Sequence, residues 1–279
     1  MTLVTAPPET GQASGAGPAT ETTRVSFSDV EHHYLRSDGG EVHALGPIDL
    51  DVEPGSFVCL VGPSGCGKST MLRLVAGFEN PSSGVVTVGG VAVDGPSPER
   101  GVVFQQPPLY PWLDVRGNVE FGLRIRRFRK AERRRIADHW IELVGLTDSA
   151  ELAPYELSGG MQQRCQLARV LATDPSIVLM DEPFGALDAL TRERLQEELA
   201  RLWRGSGRTM IFVTHSVDEA VALGTRVVVL SPRPGRIVLD EPAPFAAQGI
   251  PTTESRDLPE FARLRRQVSA AITSAEDGS

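Results

Sequence analysis

Lysine is nearly absent from this sequence. Lys68 and Lys130 are the only lysines among 28 basic residues in a chain of 279. Arginine presents a broad planar cation, whereas lysine presents a compact point charge. A lysine that persists in such an arginine-rich chain therefore marks a position where a compact charge is needed, or it is incidental. Lys68 lies in a glycine-rich segment and Lys130 in a run of arginines, so Lys68 is the candidate for a specific role.

Cysteine, long apolar runs and excess positive charge are also scarce. Cys59, Cys66 and Cys165 form no C-x-x-C pair, which is typical of a reducing compartment. The longest apolar runs have about five or six residues, far fewer than a membrane-spanning helix needs. No signal peptide is expected, because no charged segment followed by an apolar one opens the chain. The net charge of −8 argues against general nucleic-acid binding.

Short apolar runs recur along the chain and end in polar residues or turns. Such runs, rich in β-branched residues, are typical of buried strands. They lie at residues 56–61, 101–104, 176–180, 209–213 and 226–230. Helical stretches separate several of them, so the pattern predicts an α/β fold with a largely parallel sheet. In such sheets ligands bind beyond the carboxyl ends of the strands.

The first hundred residues predict a second sheet, which is antiparallel. Residues 25–30 and 48–53 alternate between apolar and polar side chains, as half-buried strands do. Residues 85–93 read VVTV-GG-VAV, which predicts a hairpin with a Gly-Gly turn. Residues 114–150 have helical periodicity, and we expect residues 107–157 to form a helical subdomain inserted in the α/β core.

A glycine-rich segment, GPSGCGKS at residues 62–69, matches the pattern GxxxxGK[ST] between a predicted strand and a predicted helix. In this pattern glycines let backbone N–H groups surround phosphate oxygens, the lysine reaches the outer phosphates, and the serine hydroxyl binds Mg²⁺. The alternative is a glycine-rich turn that matches by chance, and the strand–loop–helix context favours the phosphate loop. The candidate nucleotide-binding residues here are Gly62, Pro63, Ser64, Gly65, Cys66, Gly67, Lys68, Ser69 and Thr70.

Polar side chains follow three further predicted strands. Asp181 and Glu182 come directly after IVLM, where Asp181 would hold Mg²⁺ and Glu182 would polarise the attacking water. The alternative is a pair of acids that cap the next element. Gln105 and His215 also follow strands and could lie near Mg²⁺ with its water and near the γ-phosphate, respectively. Either residue alone is more typical of a turn.

The segment LSGGMQQR at residues 157–164 predicts a second anion-binding feature. Ser158, Gly159 and Gly160 form a short polar turn that opens an amphipathic helix. Free backbone N–H groups at a helix start attract phosphate. The alternative is an N-capped helix without a ligand.

Taken together, GPSGCGKST, VFQQ, LSGGMQQR, IVLMDEPFGALD and VTHSVDEA resemble the ATP-binding subunits of ABC transporters over roughly residues 24–240. The resemblance implies a P-loop NTPase core with an antiparallel β subdomain and an inserted helical subdomain. It implies ATP and Mg²⁺ as cofactors, with Mg²⁺ held by Ser69, Gln105 and Asp181. It also implies hydrolysis by Glu182, His215, Gln105 and Lys68.

The same resemblance implies a homodimer, in which Ser158, Gly159 and Gly160 serve the partner's ATP. Asp188 would belong to a loop that crosses the dimer interface. Tyr34 is similar to the aromatic residue that stacks on adenine, although the long stretch after it leaves His33 as a second candidate. A core or hairpin aromatic remains the alternative for Tyr34.

Details of the sequence are similar to one importer group. YPW at residues 110–112 and RPGRI at residues 233–237 resemble the taurine, sulfonate and nitrate uptake group. This implies a separate transmembrane permease, an external solute-binding protein, a position at the cytoplasmic face of the membrane and no nucleic-acid partner. The alternatives are an exporter subunit or a soluble ABC ATPase.

The domain boundaries follow from composition and from this resemblance. We expect residues 1–23 to be a disordered tail, 24–245 the ATP-binding domain, and 246–279 a C-terminal extension with a short helix. The basic run at residues 124–135 is either a solvated helix face or a contact to anionic lipids or acidic permease loops.

Overall fold

The structure, a computed structural model of the chain, describes residues 23–37 and 39–277. The expected disordered tail therefore lies outside the described residues except for Thr23. The strands are β1 (Val25–Leu35), β2 (Glu41–Val52), β3 (Phe57–Val61), β4 (Ser83–Val88), β5 (Val91–Ala92), β6 (Arg100–Val103), β7 (Ile177–Asp181), β8 (Thr209–Val213), β9 (Arg226–Leu230) and β10 (Ile237–Pro242).

The α-helices alternate with the later strands. They are α1 (Lys68–Ala76), α2 (Val115–Ile125), α3 (Lys130–Leu143), α4 (Gly159–Ala172), α5 (Ala189–Arg204), α6 (Val217–Leu223), α7 (Thr252–Ser255) and α8 (Pro259–Asp277). Two 3₁₀ turns, Thr147–Ser149 and Pro154–Glu156, lie between α3 and α4.

The main sheet has the order β10-β9-β3-β8-β7-β6. Strands β9, β3, β8, β7 and β6 pair in parallel, and β10 is antiparallel to β9. Successive residues of β3 pack into different apolar clusters, Phe57 and Cys59 on one face and Val58 and Leu60 on the other. Both faces of the sheet are therefore buried, which explains why its strands read as continuous apolar runs. The predicted α/β fold with a largely parallel sheet is confirmed.

The smaller sheet is antiparallel, with the order β2-β1-β4-β5. The predicted Gly-Gly hairpin is present between β4 and β5, where Gly89 and Gly90 have φ angles of 57° and 77°. Strands β1 and β2 are longer than the sequence pattern indicated, because irregularities in their register interrupt the alternation. This sheet covers α1 and one face of the main sheet.

The segment between β6 and α4 is mainly helical. Helices α2 and α3 pack on each other and on α4, burying Val119, Leu123, Trp140 and Ile141. This packing places the start of α4 beside the chain that follows β6.

The C-terminal helix is longer than the short helix we expected. Helix α8 has 19 residues, and Phe261, Leu264 and Val268 are buried on one side of it. Their spacing follows the helical repeat, so the helix continues while this apolar stripe packs on α6, β9 and β10.

Candidate active site

The loop between β3 and α1 has the conformation that its glycines predict. Gly67, the residue before α1, has a φ of 99°, a backbone conformation that favours glycine. A Cβ at this position would lie 2.3 Å from the Leu45 side chain. The buried Lys68 donates hydrogen bonds from Nζ to the carbonyls of Gly62 and Pro63, each at 2.8 Å. These bonds hold the loop around the Lys68 amine. The backbone N–H groups of the loop and the charge of Lys68 are thereby available at one concave surface, as in an anion-binding site.

Asp181, the last residue of β7, lies beside the start of α1. Burial raises the pKa of its carboxyl above the usual value, a hydrogen bond with Ser69 opposes this rise, and the charge of Glu182 adds to it. A carboxylate and a hydroxyl in direct contact are the oxygen donors that Mg²⁺ prefers. The residues present therefore fit the metal that the sequence predicted.

Glu182 contacts two other predicted site residues, each of which follows a different strand. Its Oε2 atom accepts a hydrogen bond from Gln105 Nε2 at 3.2 Å and lies 3.3 Å from His215 Nδ1. Gln105 follows β6 and His215 follows β8, the strands on either side of β7. The parallel order of these strands brings all three residues to one edge of the sheet.

Two hydrogen-bond networks fix the residues that precede Gln105 and His215. Gln166, fully buried in α4, accepts from the Phe104 N–H at 3.3 Å and donates to the Phe104 carbonyl at 2.7 Å. Glu219 accepts from the Thr214 hydroxyl at 2.6 Å. Each network fixes the residue that directly precedes a candidate catalytic side chain. Sequence reasoning missed both: Gln166 is 62 residues from Phe104, whereas Glu219 is only five residues from Thr214 and carries no motif that marks its contact.

A cavity of about 430 Å³ unites most of these residues. Its lining residues are Tyr34, Ala44, Ser64, Gly65, Gly67, Lys68, Ser69, Thr70, Gln105, Glu182, His215 and Arg233. Of the predicted loop residues, Gly62 and Pro63 lie behind the surface as acceptors for Lys68, and the buried Cys66 places its Sγ 3.5 Å from Lys68 Nζ.

Tyr34 rather than His33 reaches this cavity. The Tyr34 hydroxyl bonds to Thr70 Oγ1 at 3.1 Å and to Glu79 at 2.7 Å, and burial raises the pKa of this phenol. The His33 ring instead stacks on His43 on the other face of the small sheet. An aromatic ring at the cavity edge fits a nucleobase.

Arg233 is a lining residue that sequence reasoning did not assign to the site. The loop after β9 packs on the phosphate loop, where the Arg233 guanidinium lies 3.3 Å from the Gly65 carbonyl. Backbone hydrogen bonds between Gly235 and the residues at 44–46 hold this loop against β2. The segment RPGRI signalled a distinctive loop, but its position beside the phosphate loop depends on the sheet order.

The predicted signature turn lies away from the cavity of its own chain. Ser158 caps α4 by accepting from the Met161 N–H at 3.3 Å, and Ser158 and Gly159 are exposed. Asp188 is also exposed and caps α5 by accepting from the Thr191 N–H at 3.0 Å. Neither segment lines the cavity around Lys68, so one chain brings the phosphate loop and the candidate catalytic side chains together but leaves the predicted signature turn out.

Within residues 23–37 and 39–277, none of the helices combines the length and the apolar character required to cross a bilayer.

The fold and the site define a phosphate-loop ATPase: a parallel sheet, a lysine-bearing glycine loop, and an acidic pair beside a glutamine and a histidine. The ABC transporter family profile matches residues 45–185. The chain therefore belongs to the ABC transporter family, as one of its ABC-type ATPases.

Named relatives extend this match over most of the chain. The chain is 46% identical to the taurine import ATP-binding protein TauB of Jannaschia sp. over 257 residues, which cover 91% of this chain and 96% of that protein. It is 50% identical to a putative ATP-binding protein of Brucella abortus over 249 residues, 89% of this chain and 93% of that one.

Solved structures show the same architecture. The chain is similar to the dimeric ATP-binding cassette MJ0796 in a post-hydrolysis state bound to ADP and Pi, with a TM-score of 0.71 and 33% identity. The match covers 78% of this chain and 98% of that cassette. The resemblance found in the sequence and its expected fold are thus confirmed.

Proposed function

We propose that this chain is the ATPase subunit of an importer for taurine or a related small sulfonate, and that it works as a homodimer on a separate permease. The observation that carries the proposal is the convergence of Lys68, Gln105, Glu182 and His215 on one cavity in a chain similar to taurine import ATP-binding proteins. The names of these relatives favour taurine over nitrate as the cargo. An external solute-binding protein would deliver the cargo to the permease, and the ATPase would lie at the cytoplasmic face of the membrane.

The cavity residues have distinct roles in this proposal. Tyr34 faces the base, and the backbone of residues 62–69 with Lys68 binds the phosphates. Ser69, Asp181 and Gln105 would hold Mg²⁺, which neutralises charge on the phosphates when bound. Cys66 and Pro63 shape the loop around Lys68, and Thr70 holds the Tyr34 hydroxyl.

Hydrolysis then depends on a water molecule placed between the γ-phosphate and Glu182. The Glu182 carboxylate accepts a proton from this water as the water oxygen attacks phosphorus. Gln105 orients the water and the carboxylate, to which it already donates a hydrogen bond. His215 donates to the transferred phosphoryl group, and Lys68 stabilises the charge that develops there.

The signature turn supports the dimer. Ser158, Gly159 and Gly160 stand at the start of the 14-residue helix α4, where free N–H groups attract phosphate, yet they do not line the cavity around Lys68 in their own chain. In a head-to-tail pair each turn would close the partner's site over the γ-phosphate, with Asp188 at the interface. Closure would then depend on ATP and would drive the permease.

A gene deletion in the source organism tests the cargo. We expect loss of radiolabelled taurine uptake with nitrate uptake unchanged, and rescue by the wild-type gene. The two lysines provide a matched pair: Lys130→Ala should restore uptake, and Lys68→Ala should not. Unchanged taurine uptake in the deletion strain would refute this cargo. Purification of the tagged chain from detergent-solubilised membranes tests for the permease, which should co-purify with a transporter subunit and not with an ABC ATPase that has no permease.

A further inference from the structure

A second cluster of ligand-type side chains lies on the small sheet, on the face opposite Tyr34. His33 of β1 and His43 of β2 are directly paired across the two antiparallel strands. Glu31 precedes His33 by two residues on β1, so the two side chains share one face of the strand. Tyr34, the next residue along, turns to the other face and lines the ATP cavity.

The three side chains bring one carboxylate and two imidazoles together. Glu31 Oε2 lies 3.3 Å from His43 Nε2 and 3.8 Å from His33 Nε2, and the potential ligand atoms all fall within 4.8 Å of one another. Ligands about 2.0–2.1 Å from a tetrahedral zinc ion are separated from each other by about 3.3 Å. The 3.3 Å distance between Glu31 and His43 matches that spacing, and the other separations, which lie within 4.8 Å, would shorten on metal binding.

One polar atom of this cluster has an ion-pair contact, at 3.3 Å from Glu31 Oε2, but no hydrogen bond within the part of the chain that the structure describes. His43 Nε2 is inaccessible to solvent and makes no hydrogen bond among the described residues. Glu41 Oε2 lies 3.8 Å from His33 Nδ1, whereas Glu31 Oε2 lies 3.8 Å from the other ring nitrogen, Nε2. A histidine that binds a metal through one nitrogen commonly directs the other towards a carboxylate, which fixes the ring.

We propose that Glu31, His33 and His43 form a binding site for a divalent transition-metal ion, with zinc as the best match. Two imidazoles and one carboxylate are a familiar zinc ligand set, and water can take the fourth position. The stacked rings of His33 and His43, with centroids 4.1 Å apart, need to tilt towards the ion. Rotation about their side-chain bonds provides this tilt without a change in strand register.

The position gives the ion a structural effect. It links β1 to β2 at the residue before Tyr34, so zinc binding would tie together the two strands at the edge of the ATP cavity. This inference stands apart from the cargo and from the dimer, because it concerns the other face of the small sheet.

Isothermal titration of the full metal-free chain with zinc chloride tests the proposal. We expect one site per chain, with affinity reduced at least tenfold in each of Glu31→Gln, His33→Gln and His43→Gln. Glu41→Gln, which removes only the supporting carboxylate, should reduce the affinity by about tenfold.

Two further histidines serve as controls. His139 is exposed on α3, so His139→Gln should bind zinc like the wild type. His215→Gln should also retain binding, since that residue belongs to the ATP cavity. Loss of zinc binding in His215→Gln with retention in His33→Gln would place the ion beside Glu182 and overturn the proposal.

A measurement on the unmutated chain tests the site even if the variants fail to fold. Zinc should shift the imidazole NMR signals of His33 and His43 and leave those of His139 unchanged. An absence of such shifts at saturating zinc, or equal zinc affinity in the wild type and in a folded His33→Gln variant, would refute the site.

Discussion

Glu182 has a backbone conformation that its side chain does not favour. Its φ angle is 46°, in the left-handed region that is uncommon for residues other than glycine and asparagine or aspartate. Its N–H is held by the Val213 carbonyl at 3.0 Å, and its carboxylate by Gln105 and His215. Neighbouring strands therefore keep this residue in a fixed, strained geometry at the cavity, as is common at functional sites.

We expect Glu182→Gln to lower ATP hydrolysis by at least about 100-fold while ATP still binds. The amide keeps the shape and the hydrogen bond to Gln105 but cannot accept the proton from the attacking water. Phosphate release and nucleotide binding measure the two properties separately. Glu142→Gln, on the exposed side of α3, is the matched control, and near-normal hydrolysis by Glu182→Gln would exclude Glu182 as the base.

We expect the Asp181 carboxylate to lower the stability of the nucleotide-free chain at neutral pH and to be required for activity. Burial raises the pKa of its carboxyl above the usual value near 3.8, so the folded chain binds this proton more tightly than the unfolded chain. Stability from this group is thus lost as the pH rises from the usual pKa through the raised one. At neutral pH the ionised Asp181 destabilises the nucleotide-free chain.

Asp181→Asn should consequently raise the Tm of the nucleotide-free chain at pH 7 and abolish Mg²⁺-dependent hydrolysis. The gain in Tm should shrink as the pH falls through the raised pKa, since the wild-type carboxyl then becomes neutral as well. Thermal unfolding in a pH series that descends from pH 7 towards the usual carboxyl pKa measures the effect, with the exposed Asp94→Asn as control. A lower Tm for Asp181→Asn at pH 7 would contradict this account.

At the scale of elements, the helix that starts with the predicted signature turn also holds the backbone next to Gln105, a candidate catalytic residue. Gln166 lies two turns along α4 from Ser158 and forms both of its hydrogen bonds with the Phe104 backbone. Gln163 adds a bond to the same Phe104 carbonyl at 3.2 Å. The start of α4 and Gln105 are thereby connected through one buried network.

Gln166→Leu should destabilise the chain and slow hydrolysis. Gln163 still satisfies the Phe104 carbonyl, so only the Phe104 N–H loses its partner, at a cost of about 1–3 kcal/mol. We expect a decrease in Tm of several degrees, and about a tenfold decrease in hydrolysis because Gln105 loses its fixed position. Gln267→Leu on the exposed side of α8 is the control, and a Gln166→Leu variant with wild-type activity would exclude this positioning role.

The elements that sequence could predict are those whose pattern is local. The phosphate loop, the Gly-Gly hairpin and the cap of α4 by Ser158 each depend on neighbouring residues. Arg233 reaches the cavity only because β9 lies next to β3. The strands of the main sheet are buried on both faces, so their apolar runs carry little information about which strand pairs with which.

At the scale of the whole molecule, the two segments that the sequence predicts to bind phosphate, the loop at Lys68 and the start of α4, lie apart in one chain. Lys68 lines the cavity, whereas the start of α4 is exposed and does not line that cavity. Sequence resemblance predicted the dimer that resolves this, and similar cassettes have been solved as dimers. The fold of the single chain explains why a complete site would need a partner.

A substitution at Gly159 can distinguish an effect on dimer assembly from an effect on the fold of the chain. Outside its chain neighbours and the adjacent backbone of α4, a Cβ at this position would meet no atom of the described residues within 4 Å, and an acidic side chain in the first turn suits the helix dipole. Gly159→Glu should therefore leave the Tm and ATP binding by the monomer unchanged. At a head-to-tail interface the same side chain would place a negative charge against the partner's γ-phosphate.

We expect Gly159→Glu to lower hydrolysis by at least about 100-fold and to prevent ATP-dependent dimers. Size-exclusion chromatography with ATP measures assembly, with Gly159→Glu placed in the Glu182→Gln background. Phosphate release by the Gly159→Glu variant, with Glu182 intact, measures activity. Gly205→Glu is the matched control, because a Cβ there also meets no described residue within 4 Å apart from its chain neighbours, and the residue follows α5 rather than opening α4. If Gly159→Glu still formed dimers and hydrolysed ATP, each chain would have to complete its site without the signature turn, and the head-to-tail arrangement would be wrong.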